Sequence, residues 1–146
     1  KEMDRLPFPD FSDFFRRFEE TRFDEPPRGW SLPFESSRGC WWGEKKHCTF
    51  CGLNATGMAF RKKSPERVKN ELAHLTSRYG IPRLSAVDNI IDHSFFKTVL
   101  PDLAAEETNY EIFYETKANL KKSQVEALAR AAYPRDYLML GFGNWR

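Results

Sequence analysis

The sequence predicts an α/β protein with a parallel sheet, and three observations indicate this fold class. Short apolar segments that are typical of strands begin at intervals of roughly 25–30 residues, the length of one strand–helix unit. Helical patterns separate these segments, and parallel strands need such crossovers. Polar residues follow the predicted strands directly, as they do at the rim of parallel α/β barrels, where active sites form.

Residues 1–29 are predicted to be a lead-in helix and linker, and residues 30–146 the main domain. Asp10 is placed to cap a short helix whose apolar side chains recur at helical spacing. These side chains are Phe11, Phe14, Phe15 and Phe18. We expect this stripe to pack on the main domain. The segment 24–29, rich in proline and charge, then ends the helix and serves as a linker.

The main domain is predicted to alternate strands with helices. The strands are placed at 30–37, 84–87, 110–114 and 137–140. The first helix begins at Ser64, where a serine N-cap, a proline and an acid stand in the preferred order, and it ends at Gly80. The second covers about 94–107, with Pro101 kinking or dividing it. The third opens at Ser123 with a capping-box pattern.

Polar residues that follow the strands are expected to gather at one edge of the sheet. The pairs are Glu35 and Arg38, Asp88 and Asn89, and Glu115 and Lys117. Parallel strands end at a shared edge, and binding sites form there. These side chains are therefore candidates for contact with a ligand.

All three cysteines, Cys40, Cys48 and Cys51, lie in the loop that follows the first predicted strand. An odd number of thiols cannot pair internally, and a chain of 146 residues can bury a core without disulfides. Thiolates gathered in one loop are typical of a soft metal or an iron–sulfur cluster. The loop, residues 38–63, is also longer than a plain connector, and loops of this length are usually functional or disordered.

The number of thiols leaves two kinds of metal site open. Structural zinc takes four protein ligands, and Cys48 with Cys51 forms a suitable half-site that Cys40 extends. His47 is the nearest fourth ligand, but it adjoins Cys48 and would strain to reach the same ion. A four-iron cluster held by three cysteines instead leaves one iron open for a small molecule. The spacing favours the open cluster and keeps zinc as the alternative.

The sequence SRGC at 37–40, followed by CTFC at 48–51, resembles the cluster loop of radical S-adenosylmethionine (SAM) enzymes. That superfamily usually spaces its cysteines as Cys-x3-Cys-x-aromatic-Cys, and here the first gap is stretched to seven residues. The stretched form, with CWWGE at 40–44 and CGLN at 51–54, is similar to one subgroup. These are the cobalamin-dependent maturases of ribosomally made, post-translationally modified peptides (RiPPs).

The resemblance runs from about Leu6 to about Leu128 and implies a partial parallel (β/α) barrel, truncated here after about four strands. It implies that Cys40, Cys48 and Cys51 hold a [4Fe-4S] cluster whose unique iron binds SAM. An electron from a flavodoxin- or ferredoxin-type donor then cleaves SAM to a 5′-deoxyadenosyl radical. The expected result is modification of a ribosomal peptide substrate, with C-methylation the foremost reaction.

The resemblance also suggests side chains that contact SAM. Phe50 would lie near the adenine or shield the cluster, and Asp88 and Asn89 would hold the methionine amino group. Glu115 and Lys117 occupy the strand end where ribose hydroxyls or the methionine carboxylate are bound. The plainer interpretations are loop packing for Phe50 and a rim salt bridge for Glu115 with Lys117. No residue is assigned as a catalytic base.

The chain departs from the family's pattern in several places. The Gly-Gly-Glu of many relatives is absent, and of the glycine-rich stretch on the fourth strand only Gly141 and Gly143 are candidates. No cobalamin motif is present, so cobalamin is expected to bind through a domain not present in this chain. Because the chain opens at Lys1, we expect it to be a piece of a longer polypeptide with flanking domains.

The composition argues against two classes of partner. With 23 basic and 21 acidic residues the net charge is +2, which does not suit a DNA-binding protein. No apolar run approaches the ~20 residues that span a bilayer, and unpaired cysteines indicate a reducing, cytoplasmic compartment.

Two alternatives to the peptide maturase stay open. One is a radical SAM methyltransferase of a small metabolite or RNA, and the other is a non-catalytic zinc-binding module.

Overall fold

The computed structural model describes residues 2–21, 29–53, 57–106 and 108–131. Its strands are β1 (Leu32–Phe34), β2 (Ser37–Arg38), β3 (Arg61–Lys62), β4 (Arg83–Ala86) and β5 (Glu111–Phe113). Its helices are α1 (Ser12–Glu20), α2 (Pro65–Tyr79), α3 (Val99–Ala105) and α4 (Lys122–Ala131), with 3-10 turns at Met3–Arg5 and His93–Phe96. None of the described helices has the length and apolar character needed to cross a bilayer.

Three strands form a parallel sheet in the order β1-β4-β5, which confirms the predicted α/β class and parallel pairing. The register places Leu32 beside Leu84 and Phe34 beside Ala86, so apolar side chains of neighbouring strands share a face. The fourth predicted strand, 137–140, lies outside the described residues. The truncated barrel therefore stays a prediction.

The first predicted strand, 30–37, is divided in two. β1 covers only Leu32–Phe34, and β2 then pairs with β3 in a separate antiparallel ladder. The carbonyl of Ser36 accepts the Lys63 N–H at 2.9 Å, which extends this ladder by one bond. The chain thus leaves the main sheet at Glu35, and the short ladder closes the long cysteine loop at its base.

Helix α2 begins and ends where the sequence predicts. The Ser64 Oγ accepts the Arg67 N–H at 3.2 Å, and Pro65 occupies the first turn. Gly80 ends the helix in the left-handed conformation, with φ of 67°, which glycine adopts without the strain imposed by a Cβ. The side chains of Val68, Leu72 and Leu75, which recur at helical spacing, are buried.

The helix predicted at 94–107 is divided, but not at Pro101. The chain first forms the 3-10 turn at His93–Phe96, because the Asp92 carboxylate accepts the Ser94 N–H at 2.8 Å and starts this turn. α3 begins after Thr98, so Pro101 lies in its first turn, where a missing N–H breaks no intrahelical bond.

Helix α4 begins two residues earlier than the capping-box pattern indicates. The Gln124 Oε1 accepts the Lys121 N–H at 2.9 Å, so Lys121 stands at the position before the first turn, and Ser123 lies inside the helix.

The core lies between the sheet and helices α2, α3 and α4. It is made of buried aliphatic and aromatic side chains, including Phe34, Leu72, Leu75, Leu84, Phe95, Leu100, Leu103, Ile112, Tyr114 and Leu128. Such burial is the main favourable contribution to folding. One ion pair is buried with them, because the Lys63 Nζ lies 2.7 Å from the Glu71 Oε2 and both side chains are almost inaccessible.

The lead-in segment packs along α2. The Phe8 ring lies between the Arg67 guanidinium, 3.7 Å from the ring centroid, and the His74 ring at 4.7 Å. The Asp4 Oδ1 accepts the Ser64 N–H at 2.7 Å, which places the segment against the start of the helix. The N-terminal residues are therefore held by side-chain stacking and hydrogen bonds.

The phenylalanine stripe of α1 packs on its neighbours, as the spacing predicts. Phe15 stacks on Tyr79 with centroids 5.0 Å apart, and Phe18 meets Trp30 edge to face at 4.5 Å. The N-cap of α1 is Phe11, not Asp10 as predicted; Asp10 lies one residue earlier, and its Oδ1 accepts the Ser12 N–H at 2.8 Å. The pKa of Asp10 is lowered to about 2 by hydrogen bonds from Ser12 and Tyr79.

Candidate functional site

The three cysteines line one cavity at the carboxyl edge of the parallel sheet. Its volume is ≈ 150 Å³. The other lining residues are Trp42, Phe50, Leu53, Asn89, Ile90, Glu115, Thr116 and Lys117. Every side chain that the sequence singled out for cluster or SAM binding lines this cavity, with Asp88 as the exception.

The base of the cysteine loop is fixed by a close backbone approach at Gly39. Its φ is 81°, and a Cβ at this position would overlap the carbonyl oxygen of Ala59. The Cys40 N–H donates to the Met58 carbonyl at 3.4 Å, and the Glu44 carboxylate accepts the Phe60 N–H at 2.8 Å. These contacts position Cys40 at the end of the loop that is nearest to β1.

The sulfur of Cys40 already has a hydrogen-bond donor. The Gly43 N–H lies 3.3 Å from the Cys40 Sγ, within the short turn that follows Cys40. Amide donors of this kind stabilise negative charge on a ligand sulfur and tune bound iron–sulfur clusters.

All three thiols are free and partly buried. Within the described ranges, no three side chains of Cys, His, Asp or Glu are arranged to hold a metal ion. The three thiols line one cavity, and three thiolates are the kind of donor that an iron–sulfur cluster takes. The sulfurs would still have to converge when the metal binds.

Lys117 is a buried cation in the cavity wall. Its side chain is 8% exposed, and its Nζ lies 3.0 Å from the centroid of the Trp42 ring, as in a cation–π contact. It forms no ion pair with any carboxylate in the part of the chain that the structure describes, so the rim salt bridge to Glu115 is not present there. The ammonium therefore remains available to an anionic ligand.

Thr116 adds an unpartnered polar group to the same wall. Its side chain is 4% exposed, and its Oγ1 has no hydrogen-bond partner among the described residues. Buried polar atoms nearly always find a partner, so a buried orphan that lines a cavity points to a ligand. Thr116 stands between Glu115 and Lys117, two predicted site residues, but no pattern in the sequence marks Thr116 itself.

Asp88 does not line the cavity, and its carboxylate is hydrogen-bonded to serines at the end of the neighbouring strand. It is 3% exposed, and its carboxylate accepts the Ser36 N–H at 2.8 Å, the Ser36 hydroxyl at 2.5 Å and the Ser37 hydroxyl at 2.6 Å. The Tyr114 hydroxyl donates to the Ser36 Oγ at 3.2 Å. Asp88 thus links the end of β4 to the end of β1, and Ser36 extends this link to Tyr114 after β5; the contact of Asp88 with SAM stays a prediction.

The pKa of Asp88 is raised, because burial disfavours its charged form more than the hydrogen bonds from Ser36 and Ser37 favour it. Two serines at the end of the neighbouring strand are the only signal in the sequence for this role. Both serines fall within the strand predicted at 30–37.

The tip of the loop presents apolar side chains to solvent. Phe50 is 61% and Leu53 58% exposed, although both also line the cavity. The Cys51 N–H donates to the Cys48 carbonyl at 3.2 Å, which forms a tight turn between the two cysteines. Ordinary loop packing of Phe50 is therefore not observed, and its ring borders the cavity entrance.

Arg38 and Glu35, which were also expected at this edge of the sheet, and the loop residues Trp41 and His47 are not among the residues that line the cavity. Arg38 forms an ion pair with Glu35, whose carboxylate oxygens lie 2.7 and 2.8 Å from two of its nitrogens. Trp41 donates its Nε1–H to the Ile91 carbonyl at 3.1 Å, so its indole packs on the segment after β4. His47 is exposed in the loop, well apart from the core.

No protein-family model, curated protein or solved structure matches this chain. The similarity to radical SAM enzymes accordingly stays a prediction that depends on the residues of the cysteine loop.

Proposed function

We propose that this chain is part of a radical SAM enzyme with a truncated parallel barrel, whose parent protein modifies a ribosomal peptide, foremost by C-methylation. The observation that carries the proposal is the single cavity shared by Cys40, Cys48 and Cys51. It lies at the carboxyl edge of a parallel sheet, the place where α/β proteins bind ligands. Asn89 and Lys117, from two further strand ends, complete its wall.

When bound, a [4Fe-4S] cluster supplies the electron that splits SAM to a 5′-deoxyadenosyl radical, and cobalamin in another domain would carry a methyl group. The chain's own part begins with its thiols, which must lose their protons to become ligands. The Gly43 N–H donates to the Cys40 Sγ at 3.3 Å, which holds this sulfur in place at the base of the loop. Cys40 at the base of the loop, with Cys48 and Cys51 nearer its tip, would hold the cluster.

The Lys117 and Thr116 side chains provide a subsite for an anionic group. A carboxylate that enters the cavity can accept a hydrogen bond from the Thr116 hydroxyl, which lacks a partner in the described structure. The nearby ammonium of Lys117 would make this contact charge-assisted. The Asn89 amide oxygen, on the neighbouring strand end, is suited to accept from an ammonium group. This pair of subsites fits the two charged groups of an amino-acid moiety, as in SAM.

Anaerobic reconstitution with iron and sulfide tests the metal site. We expect iron and sulfide uptake, with the absorbance and EPR spectrum of a four-iron cluster. Cys40→Ser, Cys48→Ser and Cys51→Ser should each lose it. Thr49→Ala, an exposed neighbour in the same turn, should retain it. Uptake of a single zinc ion per chain with no iron would contradict the proposal and favour the zinc module.

Isothermal titration of SAM into the reconstituted protein tests the anionic subsite. Lys117→Met keeps an apolar chain against Trp42 but removes the charge, and we expect affinity to fall about tenfold, or about 1.4 kcal/mol. Lys45→Met is the control: it removes an exposed lysine of the cysteine loop and should leave the affinity for SAM unchanged. Equal affinity for all three proteins would remove Lys117 from the site.

A further inference from the structure

A second cleft, of ≈ 730 Å³, opens beside the cysteine cavity. Its walls come from the segment that follows β4 and from the approach to α4. The residues that matter for its chemistry are His93, Lys97, Asn119, Lys121, Ser123 and Gln124. Both segments follow the carboxyl ends of parallel strands, so the cleft belongs to the same edge of the sheet as the cysteines.

The cleft is positively charged. Lys97 and Lys121 line it and form no ion pair within the described residues, and no carboxylate is among its lining side chains. The acids nearest in sequence are engaged elsewhere. Asp92 binds Lys62 at 2.7 Å, and Glu126 lies 3.9 Å from Lys122. Two unpaired ammonium groups in a concave surface concentrate a positive potential that attracts anions.

The rest of the lining can bind a peptide. Asn119 and Ser123 are exposed polar side chains, and each can both donate and accept a hydrogen bond. Gln124 is already oriented, because its Nε2 lies 3.3 Å from the His93 Nδ1 and its Oε1 accepts the Lys121 N–H. Such groups match the amides and carbonyls of an extended peptide.

The two cavities are separated by the side chains of two tryptophans. Trp42 lines the cysteine cavity, and its ring centroid is 6.3 Å from that of Trp41. The Trp41 ring in turn meets His93, which lines the second cleft, edge to face at 4.5 Å. A ligand in the cleft therefore lies next to the proposed reaction site.

We propose that this cleft binds acidic residues of the peptide substrate, close in sequence to the residue that is modified. The inference rests on the proposed function, since it assigns the substrate's character to the same rim. An acidic peptide fits better than RNA. The chain carries a net charge of only +2, and Phe96 is the one non-imidazole aromatic ring that lines the cleft. RNA binding would favour a dense basic face with stacking platforms.

Fluorescence anisotropy with a fluorescein-labelled hexaglutamate peptide tests this assignment in low salt. We expect binding that weakens as ionic strength rises, because exposed charges are screened. The double variant Lys97→Glu/Lys121→Glu should bind at least tenfold more weakly. The double variant Lys45→Glu/Lys122→Glu has the same net charge, alters lysines outside the cleft and should bind as the unaltered protein does.

An equal loss in both double variants would overturn the proposal, because net charge alone would then explain the binding. Tighter, cleft-dependent binding of labelled oligouridine would overturn it in favour of RNA. The titration is made with both cluster-free and reconstituted protein. If the chain binds the peptide but takes up no iron, the peptide-binding role of the cleft is supported and the proposed function is contradicted. If it takes up iron but does not bind the peptide, the proposed function is supported and the role of the cleft is contradicted.

Discussion

The base and the tip of the cysteine loop are held in very different ways. At the base, Gly39 packs against the backbone at Ala59, and Glu44 binds the Phe60 amide. At the tip, Phe50 and Leu53 are more than half exposed. The fold therefore fixes the base of the loop, whereas the apolar side chains at its tip are left facing solvent. If the proposed cluster binds, we expect it to order the tip, because metal binding and folding are coupled in such sites.

The largest effect is expected from Gly39→Ala at the base. The substitution forces a Cβ into the left-handed region and against the Ala59 carbonyl, so we expect a loss of about 2–4 kcal/mol in the free energy of unfolding. Urea denaturation of the cluster-free protein measures this.

The matched control is Gly52→Ala at the tip, where an added Cβ meets no atom within 4 Å. Its unfolding free energy should stay within about 0.5 kcal/mol of the original. If both glycine variants were equally destabilised, the distinction between base and tip would not hold.

Asp88→Ala is expected to have the next largest effect, because it removes the acceptor of three hydrogen bonds from Ser36 and Ser37. Buried donors left without a partner should cost about 2–3 kcal/mol in unfolding free energy. Asp88→Asn keeps one carbonyl oxygen and should cost less. A variant that lost SAM affinity without any loss of stability would instead return Asp88 to direct contact with the ligand.

The pH dependence of stability should show the raised pKa of Asp88. Because burial moves this pKa above its ordinary value of 3.8, the folded chain binds more protons than the unfolded chain in the interval between the two values. Stability therefore falls as pH rises through that interval and levels off above the folded-state value. Asp88→Asn should lack this component in urea titrations at successive pH values. A contribution that grew with pH would show that the serine hydrogen bonds outweigh burial.

The smallest effects are expected from the cysteines in the cluster-free protein. Cys40→Ala at the base removes the acceptor of the Gly43 N–H and should cost about 1 kcal/mol. Cys51→Ala at the tip should change the unfolding free energy by less than about 0.5 kcal/mol, because nothing pairs with its sulfur among the described residues. Thermal unfolding by circular dichroism distinguishes them, and a reversed order would contradict the comparison.

Much of the fold was predictable because its signals are local. The order Ser64, Pro65, Glu66 defines the start of α2 through chemistry within one turn, and Gly80 defines its end. The strand cores at Leu84 and Ile112 were found from short apolar runs. The helical pattern over 94–107 predicts a kink or division at Pro101. The division occurs earlier, because Asp92, which precedes the pattern, caps a separate 3-10 turn.

The site was predictable only to the level of the rim. The sequence indicates which residues follow the strands, and the parallel sheet then brings Cys40, Asn89 and Lys117 to one cavity. The sequence does not show that the Asp88 carboxylate accepts a hydrogen bond from Ser36, because that contact depends on how the two strands pair. The two-residue ladder of β2 and β3 is likewise too short to leave a periodic pattern.

The stacking of Lys117 on Trp42 has an optical consequence. Indole emission responds to a charge held against the ring, and here the ammonium lies 3.0 Å from the ring centroid, with Trp41 nearly perpendicular at 84°. We expect a ligand that displaces Lys117 to change this emission. Tryptophan fluorescence would then report binding in the cavity without an added dye.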